Sequence, residues 1–159
     1  MNIADFITPQ RIVVPLAARE KKAAIEELVG VLTSSVGIKN PELVLSSVLE
    51  REATRTTGVG HGLAIPHSKC PGVKNLSIAI GKPAEPIEFQ SIDGLPVFLI
   101  VLLVSPPEQT GAHIQALAKV SRLMTMDAFR SKLKAASSAQ EIYDTICKQE
   151  KLLDAPPVG

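Results

Sequence analysis

The sequence is poor in aromatic residues and cysteine and carries no excess of basic charge, and each shortage excludes a class of protein. Aromatic residues make up 3% of the 159 residues and tryptophan is absent, which argues against base-stacking platforms and aromatic sugar-binding surfaces. Seventeen Lys and Arg balance 16 Asp and Glu, so a nucleic-acid binder is not expected. The two cysteines, Cys70 and Cys147, lie far apart and outside any CxxC pair, so they predict no disulfide framework.

Long hydrophobic runs are also missing. The longest run, VFLIVLLV at 97–104, is much shorter than the ~20 residues that a membrane-spanning helix needs. The N-terminal MNIADFITPQR has an early Asp and is not typical of a signal peptide. We therefore expect a cytoplasmic protein without membrane insertion, folded as one domain over residues 1–153 and followed by a flexible tail at 154–159.

Helical and extended patterns alternate along the chain. Apolar residues at three- and four-residue spacing predict helices over 20–36, 40–52, 111–124, 128–135 and 139–148, with Asn40 and Thr110 as N-caps. Strands are expected at 12–14, 63–65, 76–80 and 97–104, and 54–62 is expected to be a loop. Because every residue of 97–104 is apolar, both faces of that strand should be buried. The pattern predicts an α/β fold whose central mixed β-sheet is covered by helices on both faces.

The segment GVGHGLAIPH, residues 58–67, has three properties that suit a reactive site. Its glycines would let backbone N–H groups approach an anion, and Ala64-Ile65-Pro66 is stiff. His67 then follows at the end of a predicted strand, where α/β sheets collect ligands. A histidine with a pKa of about 6.5 is mostly neutral at pH 7 and can attack a phosphoryl group. The alternative is a histidine that simply packs in a glycine-rich turn.

Two further polar residues lie on apolar faces. His113 falls in the first turn of its helix, in phase with the apolar residues Leu117, Val120 and Met124. A bound anion at this positive end of the helix would satisfy the hydrogen-bonding groups of the His113 ring. The alternative is a hydrogen bond to a backbone carbonyl. Arg51 is in phase with Val44 and Val48 near the end of its helix. Its guanidinium would either bind a carboxylate or phosphate or extend to water.

Metal and cofactor sites are not expected. His61, His67 and Cys70 could supply three zinc ligands, but no fourth ligand is evident. Gly58-x-Gly-x-Gly opens no helical pattern, so it is not a dinucleotide fingerprint, and neither a GxSxG elbow nor a P-loop is present.

Four segments together resemble the fructose/mannitol-type (type-2) IIA domain of the bacterial phosphoenolpyruvate-dependent phosphotransferase system. They are Arg51-Glu52, Thr57-Gly58-x-Gly60, Leu63-Ala-Ile-Pro-His67 and His113-Ile-Gln-x-Leu117-Ala118, and the similarity extends over residues 5–150. The resemblance implies an α/β/α sandwich and a phosphocarrier that is phosphorylated on His67 by an HPr-like protein. It further implies that His113 hydrogen-bonds to the phosphoryl group and that Arg51 neutralises its charge.

The start and end of the chain indicate a branch of the family. No IIB or permease pattern follows the last helix, and Ile3-x-x-Phe6-Ile7 resembles the nitrogen-regulatory branch, whose phosphorylation state controls partner proteins. One alternative is a stand-alone sugar-specific IIA that passes the phosphoryl group to a IIB component, and another is an anion-binding regulatory domain that is not phosphorylated. We expect Val59 and Ile65 to form an apolar rim around His67 and His61 to lie at its edge. A phosphohistidine intermediate is expected, without turnover of a small molecule.

Overall fold

A mixed β-sheet forms the centre of the computed structural model, which describes residues 1–154. Its strands are β1 (Ile12–Leu16), β2 (Gly58–Gly60), β3 (Leu63–Ala64), β4 (His67–Lys69), β5 (Ser77–Pro83) and β6 (Leu99–Ser105). The order is β1-β5-β6-β3-β2, and β4 also pairs with β6. The β5–β6 and β2–β3 pairs are antiparallel, whereas β1–β5, β3–β6 and β4–β6 are parallel.

Helices cover both faces of this sheet. They are α1 (Lys21–Val36), α2 (Pro41–Thr54), α3 (Thr110–Met124), α4 (Asp127–Ala135) and α5 (Ala139–Asp154), and short 3-10 turns cover Ile3–Phe6, Pro9–Arg11 and Pro107–Gln109. Helices α1 and α2 pack on one face, and α3, α4 and α5 pack on the other.

Strand β6 shows why two helical layers are needed. Leu99, Val101 and Leu103 belong to the core beneath α3–α5, and the alternate residues Ile100, Leu102 and Val104 belong to the core beneath α1 and α2. Successive side chains of a strand point to opposite faces, so an unbroken apolar run must be covered twice. The prediction of an α/β/α arrangement around a mixed sheet is confirmed.

Local signals at helix ends were correct in two cases and wrong in one. Helix α1 stops at Gly37, whose φ is +69°, and α2 starts after Asn40, whose side chain accepts a hydrogen bond from the Leu43 N–H at 3.2 Å. Thr110 is not the N-cap of α3. It is the first helical residue, because the preceding 3-10 turn already leads into the helix, and its hydroxyl donates to the Pro107 carbonyl at 2.9 Å.

The chain around His67 corrects two predictions. The segment 54–62 is not all loop, since β2 forms within it. His67 does not end a strand but begins β4, and the pairing with β6 has the same register on both sides of Pro66: Leu63 opposes Leu99, and His67 opposes Leu103. Pro66 has no N–H to donate, but its carbonyl accepts from the Leu103 N–H at 3.0 Å, so the pairing continues past the proline.

The two ends of the described chain meet at α5. The buried carboxylate of Glu150 accepts hydrogen bonds from the N–H groups of Ile3 (2.7 Å) and Ala4 (2.8 Å). Helix α5 continues past residue 148 to Asp154, which accepts from the Asn2 side chain at 2.9 Å. The remaining residues of the predicted tail, 155–159, lie outside the described residues.

Within residues 1–154, no helix combines the length and the apolar composition needed to cross a membrane.

Candidate functional site

The structure brings His67 and His113 together from different layers of the fold. Alternation along the strand places His67 on the same face of the sheet as Leu63 and Ile65, which is the face covered by α3. His113 lies in the first turn of α3 and is 5% exposed. The two ring centroids are 5.6 Å apart and the ring planes are inclined by 61°. Two imidazoles at this distance can act on one small group.

The backbone fixes the tautomer of His67. Its Nδ1 lies 2.7 Å from the Ile65 carbonyl oxygen. A carbonyl can only accept a hydrogen bond, so Nδ1 carries the proton and Nε2 keeps a free lone pair. Burial lowers the pKa of His67, an effect opposed by the Ile65 hydrogen bond and strengthened by the positive charge of Arg51. At pH 7 this ring is neutral, and its Nε2 lone pair is available for nucleophilic attack.

His113 is held by a buried hydroxyl. Ser105, at the end of β6, is fully buried, and its Oγ lies 2.7 Å from Nδ1 of His113. Burial lowers the pKa of His113 to about 4, and the neighbouring His67 and Lys69 lower it in the same direction. His113 is therefore neutral at pH 7, so it can contribute hydrogen bonds but not a positive charge.

Arg51 approaches from the other helical layer. It lies in the last turn of α2, half-buried, and its Nη1 donates to the Arg55 carbonyl at 3.1 Å. Its positive charge lowers the pKa of His67, as expected for a guanidinium near that ring. Arg51, His67 and His113 thus come from α2, the sheet and α3; the two histidine rings lie side by side, and Arg51 is near enough for its charge to act on His67.

Sequence reasoning missed two polar residues near this site. Ser105 directly follows the apolar run at 97–104, and a hydroxyl buried at that position needs a partner. Lys69 is two residues beyond His67 and therefore lies on the same face of β4. The β4–β6 register sets Lys69 opposite Ser105, which explains why its charge affects His113.

The glycine-rich segment serves mainly to build a tight turn. Residues Gly60, His61 and Gly62 all have positive φ values, of +95°, +58° and +74°. A Cβ on Gly62 would lie 2.5 Å from Cδ1 of Phe98, and the N–H of Gly58 is already bonded to Thr56 Oγ1 at 3.1 Å. The N–H of Gly58 is therefore not free to bind an anion.

The expected rim and the possible zinc ligands can also be compared with the structure. Val59 is 40% exposed, as a rim residue should be, but Ile65 is 3% exposed and belongs to the core, so its assignment to the rim is wrong. His61 is exposed at the tip of its turn, and Cys70 is buried with its Sγ accepting from the Gly72 N–H at 3.4 Å. Among residues 1–154, no three His, Cys, Asp or Glu side chains are grouped as they would be around a metal ion.

Comparison with known proteins identifies the family. The family model described as phosphoenolpyruvate-dependent sugar phosphotransferase system, EIIA 2, matches residues 5–149. This chain belongs to that family.

Similar proteins come from two branches of the family. A nitrogen regulatory protein from Bradyrhizobium diazoefficiens is 36% identical over 146 residues, covering 92% of this chain and 95% of that protein. The fructose-specific EIIABC component of Bacillus subtilis is 30% identical over 151 residues, covering 95% of this chain and 24% of that longer protein.

Solved structures agree with this assignment. The nitrogen regulatory protein IIA-Ntr from Neisseria meningitidis superposes with a TM-score of 0.83 at 31% identity, covering 91% of this chain and 98% of that one. The Escherichia coli enzyme IIA for mannitol, solved in complex with phosphorylated enzyme IIB for mannitol, shares the fold with a TM-score of 0.77 at 18% identity, covering 89% and 97% of the two chains.

Proposed function

We propose that this protein is a phosphocarrier that accepts a phosphoryl group on Nε2 of His67. The observation that carries the proposal is the environment of the His67 ring. Its Nδ1 donates a hydrogen bond to the Ile65 carbonyl, and the ring of His113 lies beside it. The first fixes which nitrogen has the lone pair, and the second supplies a neighbour for the incoming group. A histidine that merely packs would not need a second neutral imidazole facing it.

The transfer is an in-line displacement between two histidines. Nε2 of His67 attacks the phosphorus of a phosphohistidine on the donor, the new N–P bond forms as the old N–P bond breaks, and the electron pair leaves with the donor nitrogen. The Arg51 guanidinium offsets the charge on the equatorial oxygens, and neutral His113 donates a hydrogen bond to one of them. Positioning and electrostatic stabilisation supply the catalysis.

The surface beside the site suits a small HPr-like protein as the donor. Four exposed apolar side chains lie near the two histidines or on segments that are hydrogen-bonded to the site: Val59, Ile92, Leu95 and Ile114. The Ile92 N–H donates to the Gly58 carbonyl at 3.0 Å, which connects the loop of Ile92 and Leu95 to the strand of Val59. Ile114 directly follows His113. An apolar rim excludes water from the phosphoryl group during a small, transient contact.

We favour regulatory partner proteins over a sugar-specific IIB as the proteins that respond to the phosphoryl group. The nitrogen regulatory protein of Bradyrhizobium diazoefficiens is more similar to this chain, at 36% identity, than the fructose-specific components, at 30–31%. On this assignment the protein acts in the cytoplasm, where its phosphorylation state controls partner proteins. The similarity to a fructose-specific EIIABC component supports the second candidate, a sugar-specific IIA whose acceptor is a IIB component.

The test is incubation with phosphoenolpyruvate, enzyme I and an HPr-type protein, followed by mass spectrometry of the modified residue. We expect acid-labile phosphate on the wild type and on His61→Ala, and none on His67→Ala. A wild type that stays unlabelled with competent donors would instead indicate an anion-binding regulatory domain. Transfer of the label to a sugar-specific IIB would identify the sugar branch.

A further inference from the structure

Glu52 and Thr57 belong to the segments that identify the family, but the transfer described above gives them no role. Glu52 is the residue after Arg51 in the last turn of α2, and it is 5% exposed. A buried carboxylate is costly unless it is paired and hydrogen-bonded. The buried Glu52 carboxylate should therefore have several hydrogen-bonding partners.

Both oxygens of the Glu52 carboxylate are used. Oε1 pairs with Lys21 Nζ at 2.8 Å and accepts from the Thr57 N–H at 2.9 Å. Oε2 accepts from the Thr57 hydroxyl at 2.6 Å. Thr57 is thus held at two points by a carboxylate that is ion-paired with Lys21, and Thr57 itself is 3% exposed.

The hydrogen bonds continue from Thr57 to the reactive ring. The Thr57 carbonyl accepts from the Ile65 N–H at 3.0 Å, and the Ile65 carbonyl accepts from Nδ1 of His67 at 2.7 Å. Thr57 and Ile65 each use one polar group for one link and their carbonyl for the next, so each residue joins two consecutive hydrogen bonds. An unbroken series of short contacts therefore runs from the end of α2 to the imidazole on β4.

We propose that Glu52 and Thr57 are positioning residues for His67, which hold Ile65 through its N–H so that its carbonyl keeps the proton on Nδ1 of His67 and leaves Nε2 free. This inference rests on the proposed function of His67 as phosphoryl acceptor. Arg51 and Glu52 are neighbours in one helical turn. The same turn therefore carries the group that neutralises the phosphoryl charge and the carboxylate that places the acceptor.

A carboxylate suits position 52 because Lys21 and the Thr57 N–H can only donate, and the Thr57 hydroxyl donates to it as well. A glutamine has the same shape and could accept from Lys21 and the Thr57 N–H, but its NH₂ group would then reverse the bond to the Thr57 hydroxyl. Loss of the charge would also leave Lys21 without its ion-pair partner.

The central variant is Thr57→Val, which removes the hydroxyl bond but keeps the Lys21–Glu52 pair and nearly the same side-chain shape. In the unphosphorylated protein, ¹⁵N NMR of the imidazoles reports the tautomer of His67 directly. We expect mainly the Nδ1–H form in the wild type and a mixture with the Nε2–H form in Thr57→Val. At saturating donor, phosphorylation of this variant should slow about tenfold, with little change in the donor concentration for half-maximal rate. Glu52→Gln should slow it more.

Two matched variants separate positioning from loss of stability. Thr56→Val removes a neighbouring hydroxyl that also makes two hydrogen bonds, to the Phe89 carbonyl (2.6 Å) and from the Gly58 N–H (3.1 Å), but that has no link to Ile65. Thr56→Val should lower the free energy of unfolding about as much as Thr57→Val does, but it should leave the tautomer of His67 as in the wild type. Thr57→Ser retains the hydroxyl and should restore both the tautomer and the rate.

The proposal is overturned if Thr57→Val keeps the wild-type tautomer and rate, or if Thr56→Val changes them equally. The tautomer measurement needs no phosphoryl transfer. A wild type that shows the Nδ1–H form and the expected response to Thr57→Val, but takes up no phosphate from competent donors, would therefore count against the proposed function and not against the positioning role.

Discussion

The hydroxyl of Ser105 lies 2.7 Å from Nδ1 of His113, and both side chains are buried at the end of β6. The bond orients the second imidazole of the site toward His67, whose ring centroid is 5.6 Å away. If the hydroxyl donates to Nδ1, the proton of the neutral ring is on Nε2, where it can be donated to a phosphoryl oxygen. A neutral donor of this kind requires the Nε2–H tautomer, which the Ser105 hydroxyl favours when it donates to Nδ1.

Ser105→Ala should therefore affect both transfer and stability. Without the hydroxyl, Nδ1 of His113 loses its buried partner, so the ring should populate both tautomers. We expect phosphorylation about three- to tenfold slower and an unfolding free energy lower by about 1 kcal/mol. Rapid-quench phosphorylation and imidazole ¹⁵N NMR measure these effects. Ser77→Ala is the control, since Ser77 is a buried serine on β5 that bonds to the Asn75 carbonyl at 2.9 Å. Equal rates for the two variants would refute a role for Ser105 in transfer.

The Arg51→Lys variant should be phosphorylated more slowly than the wild type, although the substitution keeps the positive charge. Lysine places a single ammonium where the guanidinium offers a planar pair of donors to phosphate oxygens. We expect the rate of phosphorylation to fall about tenfold at constant ionic strength. Arg55→Lys is the matched control, because Arg55 is an exposed arginine just beyond α2 whose carbonyl accepts from Arg51. A wild-type rate for Arg51→Lys would show that paired contacts to phosphate are not made.

The pH dependence of stability should reveal the buried state of His113. Its pKa in the folded protein is lowered from 6.5 to about 4, so the unfolded chain binds more protons as the pH falls between these values. The free energy of unfolding must therefore decrease on acidification. His113 alone should lower it by about 2 kcal/mol between pH 7 and pH 5. Urea unfolding of wild type and His113→Gln at both pH values isolates the effect, since other groups contribute equally. Parallel pH profiles for the two proteins would contradict it.

Gly62 should tolerate a side chain far less than Gly94, although their φ values are nearly equal at +74° and +73°. A Cβ on Gly94 meets nothing within 4 Å, whereas a Cβ on Gly62 would lie 2.5 Å from the Phe98 ring. Gly94→Ala should cost only the left-handed backbone penalty of about 1 kcal/mol. Gly62→Ala adds overpacking and should cost about 3 kcal/mol. Thermal or chemical unfolding measures both, and equal losses would mean that Phe98 moves aside without cost.

Much of the fold follows from local patterns. The apolar spacing located all five α-helices within a few residues at their starts, and the run at 97–104 identified the strand that both helical layers cover. Predictions failed where distant pairing overrides local signals. Pro66 marked a strand end, yet the ladder resumes at His67 because the Pro66 carbonyl still bonds to Leu103 on the neighbouring strand.

The residue types of the candidate site follow from the sequence alone. A histidine after a stiff proline, a histidine on an apolar helical stripe and an arginine in phase with buried valines each stand out from their local surroundings, because a polar group on an apolar face requires a partner. Their protonation states and hydrogen-bond partners depend on the tertiary structure. The tautomer of His67, the burial that lowers the pKa of His113 and the link from Glu52 through Thr57 to Ile65 all depend on strand register and layer packing. These contacts link residues from different helices and strands, and neither periodicity nor spacing along the chain specifies such hydrogen-bond partners.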